Sequence, residues 1–326
     1  IYSSGTGNIL NNADITVGKN AVGIFGEDAF ITNNRNITAG ENSIYIFSSG
    51  AGGNIKNNST LNLTDKSIGL YTVSGTAENS SSGIINTGKS YIENDPKEFS
   101  VGMATETGTV INNGTINVDK EFGVGMFAGK KGFNTGRVYN NGTINVTGKN
   151  TYGIQVNEGA VAYNGISGVI NVSGTGAYGI SASNNSKIYN DGKINVSGGG
   201  IGIYLDENSY FENNGDMNMT TSGQGVYLVT GSVFVNNGNL RINGIASSAN
   251  DIQITSGSGF INIGNLTLDG PNVTLSGVPI TNTGKIVIDG PLNIPAGANV
   301  ILNTIDTDNG MGSWEILEGI SGSGNI

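Results

Sequence analysis

A seven-residue phrase, Asn-Asn-Gly-Thr-Ile-Asn-Val, constrains the fold of this chain more than any other feature of its sequence. It is complete at Asn112–Val118 and at Asn140–Val146, and weaker copies recur about every 25 residues along most of the chain. The isoleucine position falls at Ile15, Ile37, Leu61, Ile116, Ile144, Ile170, Ile194, Met217, Leu240, Leu266 and Ile286, with a degenerate copy predicted near Tyr91–Ile92. Leucine-rich repeats have a comparable period, but their L-x-x-L-x-L phrase is absent, so the repeat indicates another kind of solenoid.

Each repeat contains three short segments in which apolar and polar residues alternate, which is the period of a β-strand. Examples are Ile144–Val146, Tyr152–Ile154 and Val138–Asn140. Three strands separated by turns in so short a repeat fit a coil that stacks in parallel on its neighbours. We therefore predict an all-β fold, a parallel β-helix (β-solenoid) of about 12 coils of ~24 residues. Residues 1–290 form the repetitive coils, and residues 291–326 form an irregular continuation or terminal coils of the same solenoid.

The composition excludes several other classes of protein. Glycine supplies 54 of the 326 residues, but apolar residues reach 36% and recur in register, which excludes low-complexity disorder. The chain has no cysteine and no histidine, which excludes thiol catalysis, histidine-based triads and zinc sites built on those residues. We expect no cofactor and no bound metal.

The charge and hydropathy of the chain narrow the range of partners that we expect it to bind. The net charge is −10, and a nucleic-acid partner is not expected because neutralising phosphates requires clustered lysine and arginine. No stretch approaches the roughly 20 apolar residues of a transmembrane segment. The first residues, Ile1–Ser3, lack the charged and apolar leader of a secretory signal, and we expect the chain to be a section of a longer protein.

An asparagine precedes the isoleucine position by four residues in every aligned repeat except one. These residues are Asn11, Asn33, Asn57, Asn112, Asn140, Asn190, Asn213, Asn236, Asn262 and Asn282. In the exception, two extra residues displace Asn164 from this place. Strand parity puts the asparagine inside a turn, where amides stacked one per coil can hydrogen-bond along the axis as a ladder. The Asn or Gly that follows within two residues, for example Gly142 or Gly215, suits a turn with a positive φ.

Three stretches carry a resemblance to a known family: Asn112–Val118 with Gly123–Met126, Asn140–Val146 with Tyr152–Ile154, and Gly192–Val196 with Gly202–Tyr204. They resemble the passenger regions of large monomeric (type V) autotransporter adhesins, particularly the fusobacterial outer-membrane type. The resemblance covers Ile9 to about Asp289 and implies a right-handed β-helix displayed outside the cell. It also implies binding to host cells, glycans, receptors or partner bacteria. No residue-level binding motif is shared across such adhesins, so no site residue is carried over.

Interruptions of the period are the places where a solenoid is expected to bind partners. We predict a Ser/Gly-rich loop at Thr72–Gly83, a charged stretch at Tyr91–Phe99 that contains Tyr91, Glu93 and Asp95, and a basic stretch at Gly129–Arg137 that contains Lys130, Lys131, Phe133 and Arg137. Each of them is also compatible with a neutral insertion, since lengthening a surface loop costs little entropy.

Strand parity also predicts an aromatic stripe on the outside of the rod. Its members are Phe25, Phe47, Tyr71, Phe127 and Tyr204. Aromatic rings in a row can grip sugar rings or a protein partner. The alternative is that the chain turns at this point and the rings cover the core.

An enzyme is the rival class, because parallel β-helices also host pectate-lyase-like and glycosidase chemistry. Such sites need clustered carboxylates, often with calcium. The acidic groupings are Asp206-Glu207, Glu93/Asp95/Glu98 and Asp306/Asp308, and none recurs at one-coil spacing with a basic partner. Asp306–Gly310 lacks the glutamate at the twelfth position of a calcium loop, where Leu317 stands. We therefore expect no enzymatic activity.

The sequence thus predicts a cell-surface adhesin segment, secreted across the outer membrane and exposed on the cell. It attaches to a host cell-surface protein or glycan, or to a partner bacterium, through loops on a stiff rod. A purely structural spacer and a polysaccharide-active enzyme are the alternatives. Binding by the isolated segment distinguishes an adhesin from a spacer, and degradation of polysaccharides would indicate the enzyme.

Overall fold

The computed structural model describes residues 1–90, 99–245, 251–255, 257–270, 273–277, 280–289 and 292–293. These residues form an all-β parallel solenoid of about 11 turns at roughly 24-residue spacing. The predicted fold class is confirmed, while the right-handed sense of the coil remains a prediction. In this described part, no helix is long and apolar enough to span a membrane. Residues 291–326 lie outside it apart from Leu292–Asn293, so the predicted boundary near residue 290 remains a prediction.

Three parallel sheets run along the rod, and from the third coil onward each complete coil contributes one strand to each of them. Sheet 1 consists of β1 (Tyr2–Ser4), β4 (Val22–Glu27), β7 (Ile44–Ser48), β10 (Ile68–Thr72), β13 (Val101–Thr105), β16 (Val124–Ala128), β19 (Tyr152–Val156), β22 (Tyr178–Ala182), β25 (Ile201–Leu205), β28 (Val226–Leu228), β31 (Ile252–Ile254), β34 (Val273–Ser276) and β37 (Leu292–Asn293). Sheet 2 consists of β2 (Asn8–Asn11), β5 (Phe30–Asn33), β8 (Asn54–Asn57), β11 (Thr76–Asn79), β14 (Thr109–Asn112), β17 (Arg137–Asn140), β20 (Val161–Asn164), β23 (Lys187–Asn190), β26 (Tyr210–Asn213), β29 (Val233–Asn236), β32 (Gly259–Asn262) and β35 (Ile280–Asn282).

Sheet 3 consists of β9 (Thr60–Asn62), β12 (Ile84–Asn86), β15 (Thr115–Val118), β18 (Thr143–Val146), β21 (Val169–Val172), β24 (Lys193–Gly198), β27 (Asp216–Thr221), β30 (Asn239–Gly244), β33 (Asn265–Asp269) and β36 (Lys285–Asp289). A separate pair, β3 (Ile15–Val17) and β6 (Ile37–Ala39), occupies the same place in the first two coils. Equivalent residues stack in register, as Ile116, Ile144, Ile170 and Ile194 do. Inward-facing apolar residues of all three sheets form one core along the axis, because strand side chains alternate between the two faces.

The predicted asparagines form one continuous column at the turn between sheet 2 and sheet 3. Their side chains are buried, and each Nδ2 donates to the Oδ1 of the asparagine in the next coil over 2.7–3.0 Å. The column also includes Asn79 and Asn164, which the sequence pattern did not place in it. Hydrogen bonds along the column therefore satisfy amides that would otherwise be costly to bury.

A second asparagine column lies on the outer face of sheet 3, and its hydrogen bonds run in the opposite direction. It contains Asn62, Asn86, Asn117, Asn145, Asn171 and Asn195. Here each Nδ2 donates to the Oδ1 of the preceding coil over 2.6–3.0 Å. The dipoles of the two amide columns thus oppose each other along the rod.

Two sequence-based assignments near residue 80 were wrong. Residues Thr76–Asn79 are not part of a loop, because β11 pairs in register with β8 and β14. The isoleucine position of this coil is Ile85, which pairs with Leu61 and Ile116, rather than the Tyr91–Ile92 region. The inward residue of β11 is Ala77, whose small side chain hides the apolar alternation that marks the other strands.

Two details of the turns also differ from the prediction. Asn164 keeps its place in the buried column because the two extra residues fall in the turn after it, where Ile166 is exposed. Gly142 and Gly215 do not have a positive φ. They are required for close approach instead: an added Cβ would lie 2.1 Å from the carbonyl oxygen of the glycine one coil earlier, Gly114 or Gly192 respectively.

Candidate ligand-binding surfaces

The basic stretch predicted from the sequence is an ordered loop of residues 129–136 that joins β16 to β17. The coil that contains it advances 28 residues between Asn112 and Asn140, whereas the next coil advances 24. A tight turn closes the loop, with the amide of Phe133 donating to the carbonyl of Lys130 at 2.9 Å and Gly132 at a positive φ of 83°. Residues 131–135 are all exposed, and Phe133 keeps 52% of its surface accessible.

A chain of polar contacts ties the base of this loop to sheet 1. Lys130 forms an ion pair with Glu106, whose other carboxylate oxygen accepts a hydrogen bond from the Tyr71 hydroxyl at 2.6 Å. Burial favours a higher pKa for Glu106, but hydrogen bonds from Lys130 and Tyr71 lower it below its usual value. Burial, followed by the hydrogen bond to Glu106, raises the pKa of Tyr71. The ammonium of Lys130 also lies 5.4 Å from the ring centroid of Phe133, so its charge is engaged within the chain.

The other two cations of the predicted stretch are available to a partner. Lys131 is exposed at the tip of the loop, and Arg137 is half-buried at the start of β17. Neither forms an ion pair with any described residue. The structure thus separates one structural cation, Lys130, from two free ones.

Beyond the loop, an open groove of about 630 Å³ runs along the adjacent turns. It is lined by Gly132, Phe133, Asn134, Glu158, Gly159, Val161, Asn184, Asn185 and Lys187. Lys187 is exposed and, like Arg137, has no ion pair among the described residues. Glu158 is half-buried, and its carboxylate accepts a hydrogen bond from Asn184 at 3.2 Å.

A tyrosine column on the outer face of sheet 2 borders this groove, and the sequence analysis missed it. Tyr139 and Tyr163 stack at a centroid distance of 4.9 Å with 5° between their planes, and Tyr189 continues the stack at 5.3 Å. Their hydroxyls have no hydrogen-bond partner in the described part of the chain. The signal was present: each tyrosine directly precedes a ladder asparagine, so strand parity places it outside.

The predicted aromatic stripe lies on the outer face of sheet 1, but other residues interrupt it. All five predicted rings are half-buried and share one register position. The register position runs through Tyr2, Phe25, Phe47, Tyr71, Ala104, Phe127, Gln155, Ser181 and Tyr204. Phe25, Phe47 and Tyr71 stack on one another at 5.0 Å with 11° between planes. Their faces cover each other, so only their edges are available to a sugar or a protein.

A small apolar cluster occupies the outer face of sheet 1 next to the second predicted interruption. Val101, Ala104 and Val124 are buried there, with Phe99 and Phe127 packed against them. The predicted residues Tyr91, Glu93 and Asp95 lie outside the described residues, as does Glu98. Phe99 thus anchors the end of this stretch on the rod.

The described acidic residues do not cluster as the ligands of a metal ion would. No group of three Asp or Glu side chains close enough to hold a metal ion occurs in this part of the chain. Asp206 accepts hydrogen bonds from the Tyr204 hydroxyl and from the Glu207 amide. Asp306 and Asp308 lie outside the described residues.

Asp251 is the exception among the acids, because it is fully buried in the rod. One carboxylate oxygen accepts a hydrogen bond from the Thr274 amide at 2.7 Å, and the other has no partner among the described residues. Burial raises the pKa of Asp251 to about 6, although hydrogen bonds from the amides of Thr274 and Asp251 itself oppose the shift. The folded state therefore holds the proton more tightly than the unfolded state. Protonation of Asp251 therefore stabilises the folded state. This stabilisation is complete below pH 3.8 and is lost as the pH rises through about 6.

Asp251→Asn should remove this pH dependence. When the pH is lowered from 7 to 4, the free energy needed to open the coil around β31 should rise in the wild-type chain. We expect this rise to exceed that of the variant by up to about 3 kcal/mol. The asparagine still accepts from Thr274, and all other titrating groups cancel in the comparison. Hydrogen exchange of the β31 amides at the two pH values measures the difference, and an identical pH response of the two proteins would contradict the prediction.

Residues 68–168 match the family model described as the BigA third pectate lyase-like domain. The matched region runs from β10 through β20 and includes the basic loop. BigA is a bacterial surface protein. No curated protein matches this chain. The similarity is to a pectate lyase-like domain, in keeping with the β-helical coils of this region.

Proposed function

We propose that this chain is a section of a cell-surface adhesin: a stiff β-helical rod that attaches to a host cell-surface protein or glycan, or to a partner bacterium. In this proposal it is the passenger region of an autotransporter of the fusobacterial outer-membrane type, secreted across the outer membrane. The resemblance of the repeat phrases supports the autotransporter origin, and the similarity to a domain of the surface protein BigA supports surface exposure. Binding involves no covalent chemistry.

The observation that carries the proposal is the basic loop at residues 129–136. Elsewhere along the same edge, for example at Asn157–Ala160, a connection of four residues joins sheet 1 to sheet 2. This loop is longer and carries two exposed cationic or aromatic side chains, Lys131 and Phe133, in a chain with a net charge of −10. Solenoid coils mainly supply stiffness, and extra residues on one face are the usual place for binding.

The loop is also preorganised for binding. The ion pair of Lys130 with Glu106 and the tight turn at Gly132 hold it in one conformation before a partner arrives. A preordered loop loses less conformational entropy on association than a flexible one. With many copies of the rod on one cell, individually weak contacts would together give a high overall avidity.

The test replaces residues 129–136 with Asn157–Ala160, the equivalent connection of the next coil. The variant and the wild-type chain are compared for binding to host epithelial cells and to partner bacteria by flow cytometry. We expect the replacement to lower cell binding at least about tenfold, since it removes Lys131, Phe133 and the wall of the groove. Circular dichroism and the thermal midpoint establish that both chains remain folded.

A second graft controls for the inserted sequence. Val229–Ser232 is a connection of the same length with matching φ values: Thr230 and Gly231 have φ of 47° and 74°, against 58° and 74° for Glu158 and Gly159. Grafting Asn157–Ala160 there should leave cell binding unchanged. Equal binding by all three proteins would overturn the assignment to this loop, and no binding by the wild type would favour a spacer. Release of oligosaccharides from a polysaccharide panel would indicate an enzyme.

A further inference from the structure

The outer face of sheet 2 carries two parallel rows of side chains beside the basic loop. One row consists of Arg137, Val161 and Lys187, which are paired in register from coil to coil. The other consists of the three stacked tyrosines, two residues further along each strand. The loop stands against these rows, so that Phe133 and Lys187 line one groove.

The positive charges around this groove are unneutralised. Arg137 and Lys187 are two coils apart, which corresponds to about 10 Å at the strand spacing of a sheet. Lys131 adds a third charge at the loop tip. None of the three has an ion pair with a described residue, and the lining includes one acid, Glu158. The groove and the side chains beside it thus carry three cations and one acid, which makes a basic surface on a chain that is acidic as a whole.

The tyrosine row supplies regularly spaced hydrogen-bonding groups. Because the rings stack face to face, their edges and hydroxyls point away from the stack toward solvent. Burial, then the charges of Tyr163 and Glu212, raises the pKa of Tyr189. Its hydroxyl therefore stays protonated at neutral pH and can donate. A row of phenols one coil apart matches a ligand with repeated oxygen atoms better than an apolar one.

We infer that the surface made by this groove, which Phe133, Val161 and Lys187 line, and by the adjoining Arg137 and tyrosine row binds an anionic glycan chain. The cations bind the sulfate or carboxylate groups, and the tyrosine hydroxyls form hydrogen bonds with sugar oxygens. The half-exposed ring of Phe133 packs against the apolar face of a sugar. An acidic peptide is less suited, because strands paired on both sides leave no free backbone edge for strand addition. The inference rests on the proposed function and names the ligand class of the same surface.

The experiment measures binding of the immobilised chain to heparin, which carries sulfates, and to hyaluronan, which carries carboxylates only. Polyglutamate serves as the acidic peptide. At low salt, Lys187→Gln and Arg137→Gln should each weaken glycan binding about threefold to tenfold and reduce its salt dependence. Glu158→Gln removes the opposing charge and should strengthen binding about threefold. Preference for heparin or for hyaluronan identifies sulfate or carboxylate as the group recognised.

Lys193→Gln is the matched control. Lys193 is an exposed lysine at the start of β24 on sheet 3, has no ion pair among the described residues, and carries the same charge as Lys187. Its substitution should leave glycan binding unchanged. Equal losses for Lys187→Gln and Lys193→Gln would overturn the groove in favour of general attraction, as would binding of polyglutamate as strong as that of the glycans. No binding to either glycan, together with loop-dependent attachment to cells, would overturn the inference and leave the proposed function standing.

Discussion

Replacing Asn140 with leucine should lower the free energy of unfolding by about 2–5 kcal/mol and open the coils on both sides of it. The Nδ2 of Asn140 donates to Asn164 Oδ1 at 2.7 Å, and its Oδ1 accepts from Asn112 Nδ2 at 2.9 Å. Leucine has a similar volume but leaves both buried partners without this hydrogen bond. Asn213→Leu should behave in the same way, because Asn213 has equivalent partners in Asn190 and Asn236. Chemical denaturation measures the loss.

Hydrogen exchange should show that the effect is local. Stability in a solenoid is approximately a sum of coil and neighbour terms, so amides of β14, β17 and β20 should exchange faster while those near the N-terminus do not. Asn141→Leu is the matched control: Asn141 is exposed, and its amide donates to Asn113 at 3.1 Å in contact with water. We expect it to cost no more than about 0.5 kcal/mol. Equal stabilities for Asn140→Leu and the wild type would exclude the ladder as a stabilising element.

Gly153→Ala should destabilise the rod by about 3 kcal/mol or more, although alanine is the smallest possible side chain. An added Cβ would lie 2.6 Å from the carbonyl oxygen of Gly179 and 3.1 Å from Val146 Cγ2. The first contact is with backbone of the next coil, which cannot rotate away, so the coils must separate. The same close approach recurs at Gly102, Gly125 and Gly179, with 2.5–2.7 Å to the next glycine oxygen. This explains the apolar-Gly-apolar phrase of sheet 1.

Gly259→Ala provides the comparison within the same fold. Gly259 likewise lies in a strand, as the first residue of β32, but no atom lies within 4 Å of its ideal Cβ. Its φ is not positive, so alanine fits the backbone and should be neutral or stabilise by up to about 1 kcal/mol by restricting the unfolded chain. Thermal and chemical unfolding of the two variants gives the comparison. Similar midpoints for Gly153→Ala and Gly259→Ala would show that coil spacing is not limited by this glycine column.

The stacked aromatic rings explain why an exposed aromatic row need not be a sugar platform. The rings of Phe25, Phe47 and Tyr71 stack face to face on one another, so they stabilise adjacent coils as cross-strand pairs do. The tyrosines of sheet 2 stack in the same way but keep free hydroxyls beside free cations. Their chemistry, rather than their exposure alone, makes that surface the better candidate for binding.

Properties that a single coil displays could be predicted from the sequence. Strand alternation, the parallel solenoid and the inward asparagine each depend on local spacing, and repetition makes the signal clear even though each copy is weak. Asn140 and Asn213 were placed in the buried column for this reason. The repeat pattern failed where a coil departed from the consensus. The small side chain of Ala77 kept β11 from being recognised as a strand, and a longer turn kept Asn164 from being assigned to the buried column.

Properties that depend on several coils were decided by the tertiary structure. The length of each turn sets which residues meet in register, so Tyr139, Tyr163 and Tyr189 become neighbours only once the intervening turns have folded. In the same way Lys130 turned out to pair with Glu106, and Phe133 to share a groove with Lys187, across distances in sequence that no local pattern spans. The sequence by itself therefore determined the strands and the inward-facing residues of each coil. The stacking of the coils decided which side chains come together to form a surface. The physical reason is that strand formation is a local preference, while a binding surface requires the summed geometry of every turn between its residues.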